Sequence, residues 1–128
     1  MNEMIMEEPP NSENKSRSVL IADDTESIQD SLEFVVENSG CKAWTAGDGE
    51  EAVKKYKEHH PKLVFMDIKM PKKNGIDAIK EIKAFDKNAN IIIITAFSGD
   101  KQLRELVKTD SIKVIDKPFE IAEIRKWL

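Results

Sequence analysis

The sequence predicts an α/β fold, with a doubly wound, five-stranded parallel sheet that carries helices on both faces. The first observation behind this prediction is that five short apolar runs alternate strictly with five amphipathic segments between residues 18 and 128. The second is that the third and fourth runs are apolar at consecutive positions, which is typical of strands buried on both sides. A length of 128 residues suits a single domain of this kind.

Each element follows from its own local pattern. The apolar runs have the length of strands and lie at residues 19–22, 41–46, 63–66, 91–94 and 112–115. Between and after these runs, apolar residues recur at a spacing of three to four, which indicates one face of a helix. In chain order these faces are Ile28, Leu32, Val35 and Val36; Ala52, Val53 and Tyr56; Ile76, Ile79, Ile82 and Phe85; Leu103, Leu106 and Val107; and Ile121, Ile124 and Leu128.

Composition and charge narrow the class of protein. With 40% hydrophobic and 34% charged residues, the chain has enough apolar material for one core. A net charge of −4 argues against direct nucleic-acid binding, and no apolar run approaches the length of about 20 residues that a membrane span needs. The acidic N-terminus is unlike a signal peptide, and the single Cys41 cannot form an internal disulfide. We therefore expect a cytoplasmic domain at residues 18–128, preceded by a disordered tail at residues 1–17.

Charged and hydroxyl side chains stand where four of the predicted strands end. Asp23 and Asp24 follow the first strand and Asp67 follows the third, while Thr95 ends the fourth and Lys117 follows the fifth. Taken singly, each has an ordinary explanation, such as helix capping or a polar loop. Because the carboxyl ends of parallel strands meet at one edge of a sheet, we expect these side chains to converge there.

This convergence predicts phosphoryl chemistry. Three clustered carboxylates repel one another unless a cation lies between them, and Mg²⁺ is a hard cation that prefers oxygen ligands. A metal, an ammonium group and a hydroxyl are also what a phosphoryl group requires, since its transfer depends on positioning and charge neutralisation. A carboxylate can itself act as the nucleophile and become an aspartyl phosphate. We therefore expect a Mg²⁺-dependent phosphoryl-accepting site.

Four sequence blocks together resemble the receiver domain of two-component response regulators, of the single-domain chemotaxis or sporulation-relay kind. The blocks are the pair Asp23-Asp24, residues 66–75, the pair Thr95-Ala96, and residues 117–119. The resemblance covers residues 18–128 and implies a flavodoxin-like fold with strand order 2-1-3-4-5. It also implies a phosphoprotein that acts as a signalling switch and not as an enzyme, with at most self-phosphorylation from small donors and autodephosphorylation.

The resemblance implies roles for the residues at the strand ends. Asp67 is the expected phosphoacceptor, which receives the phosphoryl group from a phosphohistidine of a sensor histidine kinase or a histidine phosphotransfer protein. Mg²⁺, or Mn²⁺ in its place, is expected to bind Asp24, Asp67 and the backbone carbonyl of Lys69, with Asp23 assisting. Lys117 is expected to contact a phosphoryl oxygen.

The resemblance further implies how the signal leaves the site. Thr95, Ala96 and Ile68 are expected to contact the phosphoryl group, and Thr95 is expected to hydrogen-bond one of its oxygens. Phosphorylation then biases a face formed by the fourth helix, the fifth strand and the fifth helix. A downstream protein is expected to bind this face. The chain is expected to be a monomer, or a weak dimer that forms through the same face. No membrane and no nucleic acid is expected to bind it directly.

The sequence departs from the family pattern near the expected output face, where Thr95, Phe97 and Val114 are the candidate switch residues. Many members carry Tyr or Phe at the position of Val114, and a valine cannot make the aromatic flip of the usual switch. Residues 109–111 replace a common Gly-Ala, which predicts a differently shaped turn. Lys69 and Phe97 occupy positions that tune dephosphorylation in the family. A long cation and a bulky ring there predict a shielded acyl phosphate and slow autodephosphorylation.

Other interpretations stay open. A nucleotide- or flavin-binding domain of the same fold class is disfavoured by the acidic first loop and by the absence of a Gly-rich phosphate motif. A phosphohydrolase with an aspartyl nucleophile usually carries a second acid two residues later, where Lys69 stands. The remaining alternatives are a receiver fragment of a larger regulator and a degenerate scaffold that works without phosphorylation.

Overall fold

The computed structural model describes residues 17–128, in which five strands alternate with five helices. The elements are β1 (Ser18–Ala22), α1 (Glu26–Asn38), β2 (Lys42–Ala46), α2 (Gly49–His59), β3 (Leu63–Met66), α3 (Gly75–Phe85), β4 (Ile91–Thr95), α4 (Lys101–Asp110), β5 (Lys113–Asp116) and α5 (Ile121–Arg125). Every predicted strand and helix is present, but α5 ends at Arg125 and does not include Leu128, which the spacing predicted on its apolar face. The predicted tail at residues 1–17 lies, except for Arg17, outside the described residues.

The strands form one parallel sheet in the order β2-β1-β3-β4-β5, which confirms the predicted fold and strand order. Ala22 pairs with Ala46 on one side and with Met66 on the other, and Thr95 pairs with Asp116. The carboxyl ends of the strands therefore share one edge of the sheet. Because β1 lies between β2 and β3, the strand order reverses at β1, and a crevice opens beside the ends of β1 and β3.

Alternating side chains of the sheet form two apolar layers. On β1, Leu20 and Ala22 belong to one layer, whereas Val19 and Ile21 belong to the other. Helices α2, α3 and α4 cover the first layer, and α1 and α5 cover the second. Every residue of β1, β3 and β4 is buried, as the consecutive apolar positions predict. The sheet is thus held from both sides, and it gives the loops at its edge a fixed base.

Three helices begin at this edge with a capping side chain. Asp48, Asn74 and Asp100 each accept a hydrogen bond from the backbone N–H three residues later, which satisfies an unpaired donor of the first helical turn. These caps fix where α2, α3 and α4 start around the crevice. Within residues 17–128, none of the helices has the length and apolar character that crossing a membrane requires.

Candidate functional site

Three carboxylates line the crevice at the ends of β1 and β3. Asp23 follows β1 directly and Asp67 follows β3, and their backbone N–H groups extend the sheet by donating to the carbonyls of Ala46 (3.0 Å) and Ala22 (2.9 Å). Carboxylate oxygens of Asp23, Asp24 and Asp67 all lie within 4.8 Å of one another. Asp23 and Asp67 are only 2% and 6% exposed, whereas Asp24 is exposed. The structure thus brings the three predicted acids together.

Lys117 reaches into this cluster from the end of β5. Its Nζ donates hydrogen bonds to Asp23 Oδ2 at 2.6 Å and to Asp67 Oδ2 at 2.9 Å. Its backbone N–H donates to the carbonyl of Thr95 at 2.9 Å, which fixes the base of the side chain at the sheet edge. Burial acts to lower the pKa of Lys117, but the hydrogen bonds and charges of the two carboxylates outweigh it, so the pKa is raised. The side chain is therefore an ammonium ion at neutral pH.

The charge of the cluster fits a divalent cation. Burial is the largest influence on Asp23 and raises its pKa above the ordinary value, although hydrogen bonds from Lys117 and from the Thr25 N–H oppose the shift. Lys117 pairs with Asp23 and Asp67 and brings one positive charge to a cluster of three carboxylates, so negative charge is in excess. Closely spaced carboxylate oxygens with excess negative charge are the donor set that Mg²⁺ prefers. The residues present therefore fit the predicted metal.

The loop after Asp67 is folded tightly against the start of α3. Asp67 Oδ1 accepts a hydrogen bond from the N–H of Ile68 at 2.7 Å, and the Ile68 carbonyl accepts one from the N–H of Gly75 at 2.9 Å. A Cβ atom at Gly75 would lie 1.9 Å from the carbonyl oxygen of Asp67. Only glycine allows this close approach. The orientation of the Asp67 carboxylate is consequently set by its own loop and by Lys117.

Thr95 lies at the same edge and is fully buried. Its Oγ1 accepts a hydrogen bond from the backbone N–H of Phe97 at 3.1 Å, and Ala96 between them is exposed. Thr95 pairs in register with Asp116, the residue before Lys117. The hydroxyl is therefore held by its own loop, at the edge that carries the acids.

Lys69 and Phe97 come from different loops and contact each other. Lys69 Nζ lies 5.2 Å from the centre of the Phe97 ring and 3.8 Å from Asp100 Oδ2. Both side chains are exposed at the surface. This contact joins the loop after β3 to the loop after β4, and nothing in the sequence pattern indicated that the two residues would touch.

Val114 lies half-buried on β5, beside a groove of about 360 Å³ between α4 and β5. Leu103 and Val107 form the apolar wall of this groove, and Arg104 and Lys108 also line it. The groove lies on the face that the sequence predicts to bind a partner. A small aliphatic side chain thus occupies the position at which the resemblance implies an aromatic ring.

The turn at residues 109–111 contains a strained backbone position. Ser111 is the C-cap of α4 and adopts a left-handed conformation with φ of 55°, in which its N–H donates to the carbonyl of Val107 at 3.0 Å. Glycine is the residue that favours this conformation at a helix end. The chain therefore carries a serine where the backbone favours glycine.

Comparison with known proteins decides the family. A profile of the response regulator receiver domain matches residues 19–128, nearly the whole described part of the chain. The chain belongs to this family. It is a receiver domain of the type found in two-component systems, and the resemblance stated from the sequence is confirmed.

Relatives of this receiver include chemotaxis proteins. The chemotaxis protein CheY of Thermotoga maritima is 41% identical over 109 residues, which cover 84% of this chain and 91% of that protein. CheY of Halobacterium salinarum is 40% identical over 105 residues, or 82% and 88% of the two chains. The solved complex of CheX and CheY with BeF3 and Mg²⁺ from Borrelia burgdorferi matches with a TM-score of 0.78 at 37% identity, covering 85% of this chain and 84% of that one. This receiver is therefore of the CheY type.

The sequence did not reveal one residue that supports the acidic loop. Gln29 lies on α1, and its Nε2 donates to the carbonyl of Asp23 at 2.5 Å and to the carbonyl of Ala46 at 3.3 Å. No local motif could have indicated this contact, because it depends on how α1 packs beside the ends of β1 and β2.

Proposed function

We propose that this receiver accepts a phosphoryl group on Asp67, in a Mg²⁺-dependent reaction, from a sensor histidine kinase or a histidine phosphotransfer protein. The observation that carries the proposal is the position of Lys117 Nζ, 2.9 Å from Asp67 Oδ2 and 2.6 Å from Asp23 Oδ2. An anionic nucleophile and an anionic phosphoryl group repel each other, so cations at the point of attack are the main catalytic requirement. Lys117 places one such cation beside Asp67.

The transfer exchanges one bond to phosphorus for another. An Asp67 oxygen forms the new P–O bond while the P–N bond to the donor imidazole breaks, and the electron pair of that bond stays on the ring nitrogen. The backbone N–H of Ile68 donates to Asp67 Oδ1 at 2.7 Å and so fixes the orientation of the carboxylate. Lys117 neutralises a phosphoryl oxygen, and the small Ala96 leaves room for the incoming group. The resemblance implies these roles, and the charge and size of each side chain agree with them.

The carboxylates of Asp23, Asp24 and Asp67 and the backbone carbonyl of Lys69 are the proposed ligands of Mg²⁺ or Mn²⁺. When bound, the cation neutralises negative charge on the phosphoryl oxygens. Burial raises the pKa of Asp23, which means that the buried site disfavours the negative charge of this carboxylate when no cation is bound. Asp24 is exposed, which leaves one side of the cluster open to the solvent.

The proposed switch acts through Thr95 and Phe97. A phosphoryl group adds about −1.5 to −2 charges and strong acceptor oxygens. The Thr95 hydroxyl, which now accepts from the Phe97 N–H, turns to donate to one of these oxygens and moves the loop that leads into α4. Val114 has no ring to flip, so the change reaches the α4–β5–α5 face through this loop and the adjoining groove. A downstream protein binds that face, and a weak dimer would form through the same face.

We place this function in a cytoplasmic domain at residues 18–128, with residues 1–17 as a tail. No nucleic acid contacts the domain directly in this proposal. A receiver fragment of a larger regulator would use the same chemistry, whereas a degenerate scaffold would not be phosphorylated at all.

Intact-mass analysis after incubation with acetyl phosphate and Mg²⁺ tests the proposal. We expect one phosphate adduct on the parent chain, no adduct without Mg²⁺, and no adduct on Asp67→Asn. Asp110→Asn at the end of α4 is the matched control, because it makes the same change on an exposed residue outside the cluster. An unmodified parent chain would leave the degenerate scaffold as the better account, and repeated turnover of a phosphate ester would favour a phosphohydrolase.

A further inference from the structure

Gln29 ties the acidic loop to the end of the neighbouring strand. Its Nε2 donates to the carbonyl of Asp23 at 2.5 Å and to the carbonyl of Ala46 at 3.3 Å. Ala46 ends β2, and its carbonyl also accepts the backbone N–H of Asp23 at 3.0 Å. One amide group therefore joins α1 to the ends of both β1 and β2.

The orientation of this amide is fixed by its partners. Both contacts are backbone carbonyl oxygens, which only accept hydrogen bonds, so the NH₂ group and not the oxygen of Gln29 must face them. The base of the side chain is also fixed, since the Gln29 N–H donates to the carbonyl of Thr25 at 3.0 Å within the first turn of α1. The glutamine is thus anchored at both ends.

With Gln29, every hydrogen-bonding group of Asp23 has a partner. Its N–H donates to Ala46, its carbonyl accepts from Gln29, and its two carboxylate oxygens accept from the Thr25 N–H and the Lys117 Nζ. Asp24, one residue later, is exposed. The position of the Asp24 carboxylate therefore depends on how firmly the backbone of Asp23 is held.

We propose that Gln29 is a positioning residue for the metal and phosphoryl site. It holds the carbonyl of Asp23 in place, and so keeps the carboxylates of Asp23 and Asp24 close to Asp67 against their mutual repulsion. The inference rests on the proposed function of this site. Partners in the outer shell of a metal site act in the same way on its ligands, and removing one typically weakens metal affinity by about 10- to 100-fold.

Binding of Mn²⁺ to the full chain, followed by the electron paramagnetic resonance signal of the free ion, tests this role without any phosphoryl donor. Gln29→Met keeps the length of the side chain and removes the donor. Gln29→Ala is the second variant, because alanine has the highest helix propensity and should preserve α1. Asn38→Ala is the matched control, since it removes an exposed side-chain amide, which donates to the Phe34 carbonyl, at the opposite end of the same helix. Asp67→Asn identifies the site that is being measured.

We expect the Mn²⁺ dissociation constant to rise about 10-fold in both Gln29 variants and to stay at the parent value in Asn38→Ala. Hydrogen exchange of the metal-free chain should show faster exchange at residues 23–25 in the Gln29 variants, with α1 still protected. Unchanged Mn²⁺ affinity in variants that are merely less stable would overturn the positioning role. If the parent chain shows no saturable Mn²⁺ site, or a site that Asp67→Asn does not weaken, the proposed function itself is overturned, and this inference with it.

Discussion

Lys69 and Phe97 form a cation–π contact between two loops, with Lys69 Nζ 5.2 Å from the centre of the Phe97 ring. Each residue stands two positions after a residue of the site, Asp67 in one case and Thr95 in the other. The ammonium group also lies 3.8 Å from Asp100 Oδ2. The pair therefore links the two loops between which the proposed phosphoryl group would lie, and it offers a physical basis for the predicted shielding from water.

We predict that Lys69→Ala and Phe97→Ala each shorten the lifetime of the phosphorylated chain by about two- to fivefold, since an exposed cation–π pair contributes about 0.5–1 kcal/mol. The lifetime of the phosphorylated double variant should be little shorter than that of either single variant, because each single substitution already removes the same contact. Phos-tag electrophoresis after removal of the donor measures the decay. Phe34→Ala on α1 and Lys80→Ala on α3 are the controls, since both change exposed residues outside these two loops. Equal lifetimes in all of these chains would refute the shielding.

Gly75 gives a prediction about the acceptor loop. Because a Cβ at this position would lie 1.9 Å from the Asp67 carbonyl oxygen, Gly75→Ala must displace the loop. We expect a loss of about 2–3 kcal/mol in the free energy of unfolding and no phosphate adduct. Gly99→Ala is the control, since no atom lies within 4 Å of a Cβ there. Urea denaturation and intact mass measure both effects, and normal phosphorylation of Gly75→Ala would contradict the assigned geometry.

The pKa of Asp23 predicts how stability changes with pH in the absence of metal. Burial raises this pKa above the ordinary value of 3.8, so the folded state binds more protons than the unfolded state between the two values. The contribution of Asp23 to stability therefore falls as the pH rises through that window. Relative to Asp23→Asn, the parent chain should lose stability from about pH 4 upwards, and Mg²⁺ should reduce the difference. Urea denaturation at several pH values measures this, and parallel curves would show that the burial of Asp23 has no such cost.

Ser111 predicts a stabilising substitution outside the site. Its φ of 55° is strained for serine and free of strain for glycine. Ser111→Gly should raise the free energy of unfolding by about 0.5–1 kcal/mol without altering phosphorylation. Lys108→Gly within α4 is the matched control and should destabilise the chain by about 1 kcal/mol. If both substitutions destabilise equally, the left-handed C-cap is not a source of strain.

The fold was predictable because its signals are local and repeat along the chain. Consecutive apolar residues such as Ile91 to Ile94 predicted strands buried on both faces, and β4 is buried at every position. The strand order came from the resemblance, since spacing alone does not say whether β2 lies beside β1. The meeting of Asp23, Asp67 and Lys117 was predictable from topology, because parallel strands end at one edge.

Other parts of the site depend on packing that no local pattern records. The Gln29 side chain reaches Asp23 because α1 lies beside the ends of β1 and β2. The contact between Lys69 and Phe97 depends on the shapes of two separate loops. The roles assigned to the individual site residues, and to Val114 in place of an aromatic ring, remain predictions for experiment.

The proposed function depends above all on the role of Asp67 as the phosphoacceptor. Treatment with acetyl phosphate and Mg²⁺, followed by borohydride reduction and peptide mapping, tests it most directly, because reduction converts an aspartyl phosphate into homoserine. We predict homoserine at position 67, at no other acid of the cluster, and only when both acetyl phosphate and Mg²⁺ are present. Homoserine at position 23 or 24, or no homoserine in a chain that binds the metal, would show that Asp67 is not the phosphoacceptor.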